Sequence, residues 1–119
     1  MTYDLTKKIN SREKGARYER HIAKRIREYG YEAERGCQHA GGTDSPDVKC
    51  SMDGIHWECK KVEKLNIWKA LKQSERDAGP DEIPAVAFSR NRSKDYVAVP
   101  FEDFMQMYRC YEKEWGEEE

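Results

Sequence analysis

Residues 47–60 alternate between polar and apolar side chains, the pattern of two β-strands that each turn one face toward a core. The dipeptide Asp53-Gly54 lies at their centre and favours a two-residue type I′ turn, because both central residues of that turn need a positive φ. Counting outward from this turn places Asp47 opposite Lys60, and residues opposite each other share a face of the sheet. The predicted apolar face holds Val48, Cys50, Met52, Ile55, Trp57 and Cys59, and the predicted polar face holds Asp47, Lys49, Ser51, His56, Glu58 and Lys60. A charged face of this kind is commonly turned to solvent, so the pattern has an ordinary structural interpretation beside a functional one.

Helical periodicity and short apolar runs alternate along the rest of the chain. Ser11 and Asn66 are favourable N-caps, and Gly30 and the Gly79-Pro80 pair are favourable helix ends. Helices are therefore predicted over residues 12–29 and 67–78 and from residue 101 onward, and further strands over residues 31–35, 84–89 and 96–99. The third helix carries an apolar stripe formed by Phe101, Phe104, Met105, Tyr108 and Tyr111. The order helix, three strands, helix, two strands, helix predicts an α/β fold with a central mixed β-sheet flanked by helices.

The first predicted helix has an acidic residue inside its apolar stripe. Glu19 lies three residues before Ile22 and four before Ala23, so it shares their side of the helix. An ionised carboxylate that faces a core is costly unless it is paired or binds a metal ion. Glu19 is therefore either a residue at the edge of the stripe, paired with Arg12 or Lys24 or reaching solvent, or part of a site.

Length and composition indicate one domain over residues 1–119, with a loose lead-in at residues 1–10 and an acidic tail at residues 113–119. The net charge is −1, so any surface that binds nucleic acid has to be a local basic patch. The chain shows no signal peptide and no apolar run long enough to cross a membrane, and its four cysteines lack CxxC spacing. We therefore expect a cytoplasmic protein without disulfides and without a membrane partner.

Two short motifs resemble those of known nucleases. Pro46-Asp47 followed by Glu58-x-Lys60 resembles the signature of the PD-(D/E)XK nuclease superfamily, in which the Asp and the (D/E)-x-K motif lie on adjacent strands. The stretch from Lys14-Gly15 to Glu19-Arg20 is similar to the K-G-x-x-x-E-R opening of archaeal Holliday-junction resolvases and their phage-encoded relatives. The resemblance implies a restriction-endonuclease-like fold with an αβββαβ core, and the predicted elements follow that order over nearly the whole chain.

The activity that the resemblance implies is that of a metal-dependent endodeoxyribonuclease, with branched DNA such as a Holliday junction as the substrate. The implied ligands of Mg²⁺ or Mn²⁺ are Asp47, Glu58, the backbone carbonyl of Cys59 and, directly or through water, Glu19. Lys60 would orient or deprotonate the attacking water, and Gln73 stands where some relatives have a polar residue that steadies the site. Gly41-Gly42-Thr43 matches the family's Gly- and Ser/Thr-rich loop before the metal-binding Asp.

Contacts with DNA and assembly are further expectations. Arg and Lys side chains supply affinity for phosphate without reading sequence. The candidate DNA-binding residues are Arg17, Arg20, Lys24, Thr43, Lys49, Lys61, Arg90 and Arg92. A small nuclease that cuts two strands generally needs two active sites, so a two-fold homodimer is expected, with the aromatic third helix as a candidate interface.

Several alternatives remain open from the sequence. The chain is also compatible with a phage or restriction-type PD-(D/E)XK nuclease that nicks DNA or cuts flaps, or with a catalytically inactive nucleic-acid-binding protein. A zinc site would use Cys37, His39, Cys50 and Cys59, but the predicted register puts both strand cysteines on the apolar face. His56 could assist the site, but it is interpreted first as a solvated strand residue, and the family offers no role for His39.

Overall fold

The computed structural model describes residues 10–36 and 46–118, which form three helices and five strands. In chain order these are α1 (Asn10–Arg27), β1 (Ala33–Arg35), β2 (Val48–Cys50), β3 (Ile55–Lys61), α2 (Ile67–Asp77), β4 (Ile83–Ser89), β5 (Tyr96–Ala98) and α3 (Phe101–Glu118). This order confirms the predicted arrangement of one helix, three strands, one helix, two strands and one helix.

The five strands form one mixed sheet in the order β1-β2-β3-β4-β5. β3 and β4 are parallel and form the centre of the sheet, and every other neighbouring pair is antiparallel. Parallel pairing brings the C-terminal ends of β3 and β4 to the same edge, where Lys61 lies beside Ser89. The predicted α/β class with a central mixed sheet is confirmed, and it is compatible with a restriction-endonuclease-like fold.

The pairing of β2 with β3 differs from the prediction by two residues. Val48 pairs with Trp57 instead of Cys59, and Asp53 does not have the positive φ of a type I′ turn, although Gly54 does (φ 84°). Hydrogen bonds from outside the hairpin hold the connection between β2 and β3. Ile83 N–H donates to the Gly54 carbonyl at 2.6 Å, and Ser51 N–H donates to the Glu32 carbonyl at 2.9 Å. A shift by two residues keeps every side chain on its predicted face, since the side-chain period of a strand is two.

Helices cover the central strand on both faces. α1 packs across β1, β2 and β3 through Tyr18, Ile22 and Ile26, which are buried in one core with Trp57 and Cys59. α2 packs on β3 and β4 from the other side and buries Ala70 and Ser74. The α2 N-terminus is set by Asn66, whose side chain accepts a hydrogen bond from Lys69 N–H at 3.1 Å. The polar face of β3 is therefore interior, not solvated.

The structure corrects the end of α1 and sets the end of α3. α1 ends at Arg27, and Gly30 (φ 95°) donates its N–H to the Arg27 carbonyl at 2.9 Å in the turn that follows. α3, for which the sequence set no end, continues through Glu118, so residues 113–118 of the predicted acidic tail are helical. Glu and Lys are good helix formers, which is consistent with this extension. None of the helices formed by residues 10–36 and 46–118 combines the length and the apolar character needed to cross a membrane.

A single carboxylate ties α1 to the start of β5. Asp95 accepts hydrogen bonds from Tyr18 Oη at 2.9 Å and Arg25 Nη1 at 2.9 Å, and His21 Nε2 lies 2.8 Å from its Oδ2. Burial by itself raises the pKa of Asp95, but the hydrogen bonds from His21, Arg25 and Tyr18 outweigh it and hold the pKa below its ordinary value. This carboxylate therefore stabilises the fold in its ionised form.

We expect Asp95→Asn to destabilise the protein at pH 7 by about 1–3 kcal/mol, the usual range for hydrogen bonds to a charged group. Because the folded-state pKa of Asp95 is depressed, its contribution is complete above the ordinary Asp pKa of about 4 and is lost as the pH falls through the folded value. Urea unfolding at pH 7 and at pH 3 checks this, with the exposed Asp81→Asn as the control. A difference between wild type and Asp95→Asn that stays constant down to pH 3 would contradict the assignment.

Candidate active site

The side chains of Asp47 and Glu58 lie next to each other, Asp47 just before β2 and Glu58 on β3. Asp47 N–H donates to the Trp57 carbonyl at 2.8 Å, which anchors the start of β2 against β3. The side chain of Asp47 is also held in place, because its Oδ2 accepts a hydrogen bond from Cys59 N–H at 2.8 Å. The carboxyl group of Asp47 is within hydrogen-bonding reach of that of Glu58, where the prediction had paired Asp47 with Lys60.

Glu58 is a buried carboxylate, with only 2% of the residue exposed. Gln73 Nε2 on α2 donates to its Oε1 at 3.4 Å, and His56 Nε2 lies 3.3 Å from its Oε2. Burial is the main cause that raises the pKa of Glu58, and the charge of Asp47 raises it further, while the charge of Lys60 opposes both. Two carboxylates in so small a space repel each other when both are ionised, and a bound cation relieves that repulsion.

The structure places His56 in the interior, so its interpretation as a solvated residue is wrong. Only 1% of His56 is exposed, because α2 packs on this face of β3 and β4 is paired along one edge of the strand. Its Nδ1 lies 3.5 Å from Glu82 Oε1, so the imidazole lies between two carboxylates. Glu82 is half exposed and was not singled out from the sequence. The apolar run of β4 could have indicated that His56 is buried. Such a run predicts a strand that is covered on both faces, and the strand paired with it, here β3, is then covered too.

Glu19 points from α1 toward β1. Arg35 Nε donates to its Oε1 at 2.7 Å, in place of the pairing with Arg12 or Lys24 that the sequence suggested. Burial raises the pKa of Glu19, the hydrogen bond from Arg35 opposes this, and the nearby charge of Asp47 adds to the increase. Glu19 is thus close enough to the carboxylate pair for the charge of Asp47 to repel its ionised form. The role of Arg35 was missed, since no sequence pattern links residues that meet only through the fold.

Gly36 holds the backbone at the entrance to β2. Its N–H donates to the Asp47 carbonyl at 2.8 Å, and a Cβ atom built at this position would overlap the Pro46 carbonyl oxygen and crowd the carbonyl carbon of Asp47. Only glycine allows the chain after β1 to approach the Pro46-Asp47 backbone so closely. This contact fixes the position from which the Asp47 side chain projects.

The donor set fits a hard divalent cation. Asp47 and Glu58 offer carboxylate oxygens, the ligands that Mg²⁺ and Mn²⁺ prefer, and the Cys59 backbone lies beside them. Within residues 10–36 and 46–118, no three His, Cys, Asp or Glu side chains converge as a ready-made metal cluster. The two facing carboxylates are therefore the nucleus of the site, and main-chain oxygen, water and substrate phosphate are the remaining ligands such a cation usually takes.

The cysteines do not support the zinc alternative. Cys59 is buried in the core, and Cys50 packs against that core. Both cysteines lie on the apolar face, as predicted. Burial, followed by the charge of Asp47, raises the pKa of the Cys59 thiol, which opposes the thiolate form that zinc needs. Cys37 and His39, like Thr43, lie outside the described residues.

The candidate DNA-binding residues that the structure describes lie on α1, on β2 and at or after the C-terminal ends of β3 and β4. Lys61 ends β3 with its Nζ 6.0 Å from the ring centroid of Tyr18 on α1. Arg90 follows β4 and is exposed, as is Arg92, which has a left-handed φ of 62° in the turn to β5. Arg17 and Arg20 on α1 are also exposed, with Glu13 at 3.9 Å and 3.3 Å respectively. Lys24 on α1 and Lys49 on β2 are exposed as well.

A comparison with protein families identifies the kind of protein that carries this geometry. The model of a family described as phage putative PDDEXK endonuclease matches residues 10–116, which include all the described helices and strands that form the site. No curated protein and no solved structure shows significant similarity to the chain. The match covers most of the chain and contains the Asp47, Glu58 and Lys60 motif together with Glu19. The chain therefore belongs to this family of phage PDDEXK endonucleases, within the PD-(D/E)XK nuclease superfamily.

Proposed function

We propose that this protein is a divalent-metal-dependent endodeoxyribonuclease that hydrolyses DNA phosphodiester bonds, with Mg²⁺ or Mn²⁺ held by Asp47 and Glu58. The observation that carries the proposal is the buried Glu58 carboxylate facing Asp47, an arrangement whose repulsion is relieved by a cation. Family membership supports a nuclease activity. A bound divalent ion supplies charge neutralisation of the phosphate and a more acidic water at this position.

The residues around the pair have distinct roles in this proposal. Asp47 and Glu58 are the ligands, joined by the Cys59 carbonyl. Gln73 and His56 contact the two oxygens of Glu58 and hold the carboxylate in one orientation. Positioning of this kind matters because the reacting groups need fixed geometry, and errors of about 1 Å cost activity.

Two further side chains act on the substrate or its water. Lys60 lies two residues after Glu58 on the same face of β3, so its ammonium group can hold a phosphate oxygen and orient the attacking water. Glu19, held by Arg35 at 2.7 Å, contributes negative charge beside Asp47 and would bind the metal ion directly or through water.

Incubation of the purified chain with supercoiled plasmid tests the proposal. We expect conversion to nicked and linear DNA with Mg²⁺ or Mn²⁺ and none after EDTA is added. Glu58→Gln keeps the size of the side chain but removes its charge, and we expect it to be inactive under the same conditions. Cleavage that persists in EDTA, or that is equal in Glu58→Gln, would overturn the metal assignment.

We also propose branched DNA as the preferred substrate and a homodimer as the active form. Two active sites held at a fixed separation match the two strands of a four-way junction, whereas linear duplex has to be bent at a cost of roughly several kcal/mol to present the same geometry. The net charge of −1 gives little non-specific attraction to DNA, so shape takes a larger share of selectivity.

At about 150 mM salt, binding to an immobile four-way junction should exceed binding to its linear arms at least tenfold, which corresponds to about 1.4 kcal/mol. Cuts should fall symmetrically on opposing strands near the branch point. Fluorescence anisotropy with both DNAs and gel mapping of the cuts measure these outcomes. Equal affinity for junction and duplex would leave the nuclease assignment standing and remove the preference for branched DNA.

A further inference from the structure

α3 carries a continuous apolar seam that its own domain does not cover. Its aromatic residues follow the 3-4-3-4 spacing of a heptad seam: Phe101, Phe104, Tyr108, Tyr111 and Trp115. Each of these residues is between 46% and 73% exposed. The rings of Tyr108 and Tyr111 and those of Tyr111 and Trp115 lie in contact, with centroids 5.8 Å and 5.9 Å apart, so the seam is one surface. Exposed aromatic patches of this size mark interaction sites.

α3 also projects away from the sheet. The molecule measures 64 × 29 × 27 Å, and its radius of gyration of 16.1 Å exceeds the roughly 13.5 Å expected for a compact chain of this length. α3 is about 27 Å long, and all its side chains from residue 101 to residue 116 are exposed except that of Asp103, which is half-buried. A projecting helix with an apolar seam is an arm that needs a partner surface.

The same chain has an open apolar groove on the α1 face of the sheet. α1 packs on β1, β2 and β3 on this face, and the groove lies between α1 and β5, where Ala87 and Val97 contribute to its lining. The groove is about 480 Å³ in volume, and its lining includes Ile22, Ile26, Tyr29, Trp57, Ala87 and Val97. Val97 and Tyr29 on its rim are 54% and 74% exposed. A groove of this volume and apolar character fits one face of an amphipathic helix.

Charge favours α3 as the occupant. α3 has six acidic and two basic residues, whereas the last turn of α1 is basic and contributes Arg25, which is paired with Asp95, to the lining of the groove. The groove and the arm are therefore complementary in polarity and charge.

We infer that two copies of this chain exchange their α3 helices, with the aromatic seam of each seated in the α1–β5 groove of the other. The exchange closes with two-fold symmetry, because each copy gives one arm and receives one. Five aromatic side chains exposed by about half bury on the order of 500 Å² per arm. Two arms and two grooves then bury roughly 2,000 Å², which is within the range of stable interfaces. The exchange gives an interface to the homodimer proposed above. It rests on the proposal that the protein is a dimer, not on the chemistry of the active site.

The mass of the full-length chain in solution tests the exchange, by light scattering behind size exclusion at about 50 µM. We expect twice the 14.0 kDa mass for wild type. Tyr111→Glu on the seam and Val97→Asp in the groove should both give monomers, since each puts a charge into an apolar contact. Gln106→Glu adds the same charge on the opposite side of α3 and should remain dimeric. Circular dichroism checks that each variant is folded, and Tyr29→Asp is a second groove variant.

Mixing the two monomeric variants separates exchange from simple pairing of α3 with α3. The Tyr111→Glu copy keeps its groove and the Val97→Asp copy keeps its arm, so the mixture should form a heterodimer that neither variant forms alone. A monomeric wild type, a dimeric Val97→Asp, or a mixture without heterodimer would each overturn the exchange. Because the readout is mass, its failure leaves the nuclease proposal intact, and loss of cleavage leaves the exchange intact.

Discussion

Asp47→Asn is expected to lower DNA cleavage at least 100-fold while DNA binding is kept or strengthened. The change removes a ligand charge but keeps the size of the side chain and its ability to accept the hydrogen bond from Cys59 N–H. Loss of a residue that only supports a ligand typically costs about 10–100-fold, so loss of a ligand should exceed this range. Removing a negative charge next to the substrate phosphate also weakens repulsion, which favours binding. Cleavage rates and anisotropy on the same junction DNA measure the two effects separately.

Asp53→Asn is the matched control for this prediction. It makes the same chemical change in the exposed loop between β2 and β3, outside the carboxylate pair. We expect its cleavage and binding to equal those of wild type. Full activity in Asp47→Asn would remove Asp47 from the site, and parallel loss of binding and cleavage would indicate a damaged surface instead of a missing ligand.

Gly36→Ala is expected to destabilise the protein by about 1–3 kcal/mol, the range for an inserted methyl group that forces the backbone to move. The new Cβ would overlap the Pro46 carbonyl oxygen, and the hydrogen bond from Gly36 N–H to the Asp47 carbonyl would be strained. Because the displaced backbone carries Asp47, cleavage should fall even at temperatures where the variant is fully folded. Urea unfolding and single-turnover cleavage at a low temperature measure the two losses.

Gly15→Ala is the control for Gly36→Ala. A Cβ at Gly15 meets no heavy atom within 4 Å, and the residue lies inside α1, where alanine is favoured over glycine by up to about 1 kcal/mol. We therefore expect Gly15→Ala to be slightly more stable than wild type. Equal stability of Gly36→Ala and wild type would show that the Pro46 carbonyl can move aside at no cost, which would contradict the role given to Gly36.

The order of the elements was predictable because its signals are local. Asn66 accepts a hydrogen bond from Lys69 N–H, as expected of an N-cap, and Gly30 takes the left-handed φ that the end of α1 requires. Strand faces were equally local, since alternation with a period of two fixes them. These signals place Asp47, Glu58 and Lys60 on one face of the hairpin.

The register of the hairpin was not predictable from its turn. Asp53-Gly54 favours a type I′ turn in isolation, but β4 and the segment before β1 hold both ends of the connection through Gly54 and Ser51. Contacts from outside the hairpin therefore decide the turn. The error left the faces of the strands intact, and the Asp47 side chain lies next to Glu58, the residue with which it would share a metal ion.

Long-range partners of the site were also beyond the sequence. His56 belongs to the polar face of the hairpin, and its burial follows only from how α2 and β4 pack on β3. Arg35 reaches Glu19 because β1 lies beside α1, which no spacing along the chain reveals. The apolar stripe of α3 was predicted, but its exposure depends on the direction in which the helix leaves β5.

Titration of the metal-free protein with Mn²⁺, followed by electron paramagnetic resonance of the free ion, tests most directly whether the Asp47–Glu58 pair is the metal site. Asp47→Asn and Glu58→Gln are the comparison variants, and circular dichroism establishes that they are folded. The account predicts saturable binding of Mn²⁺ at this pair in wild type, competed by Mg²⁺ and lost in both variants. Equal binding of Mn²⁺ by wild type and by Glu58→Gln would contradict it.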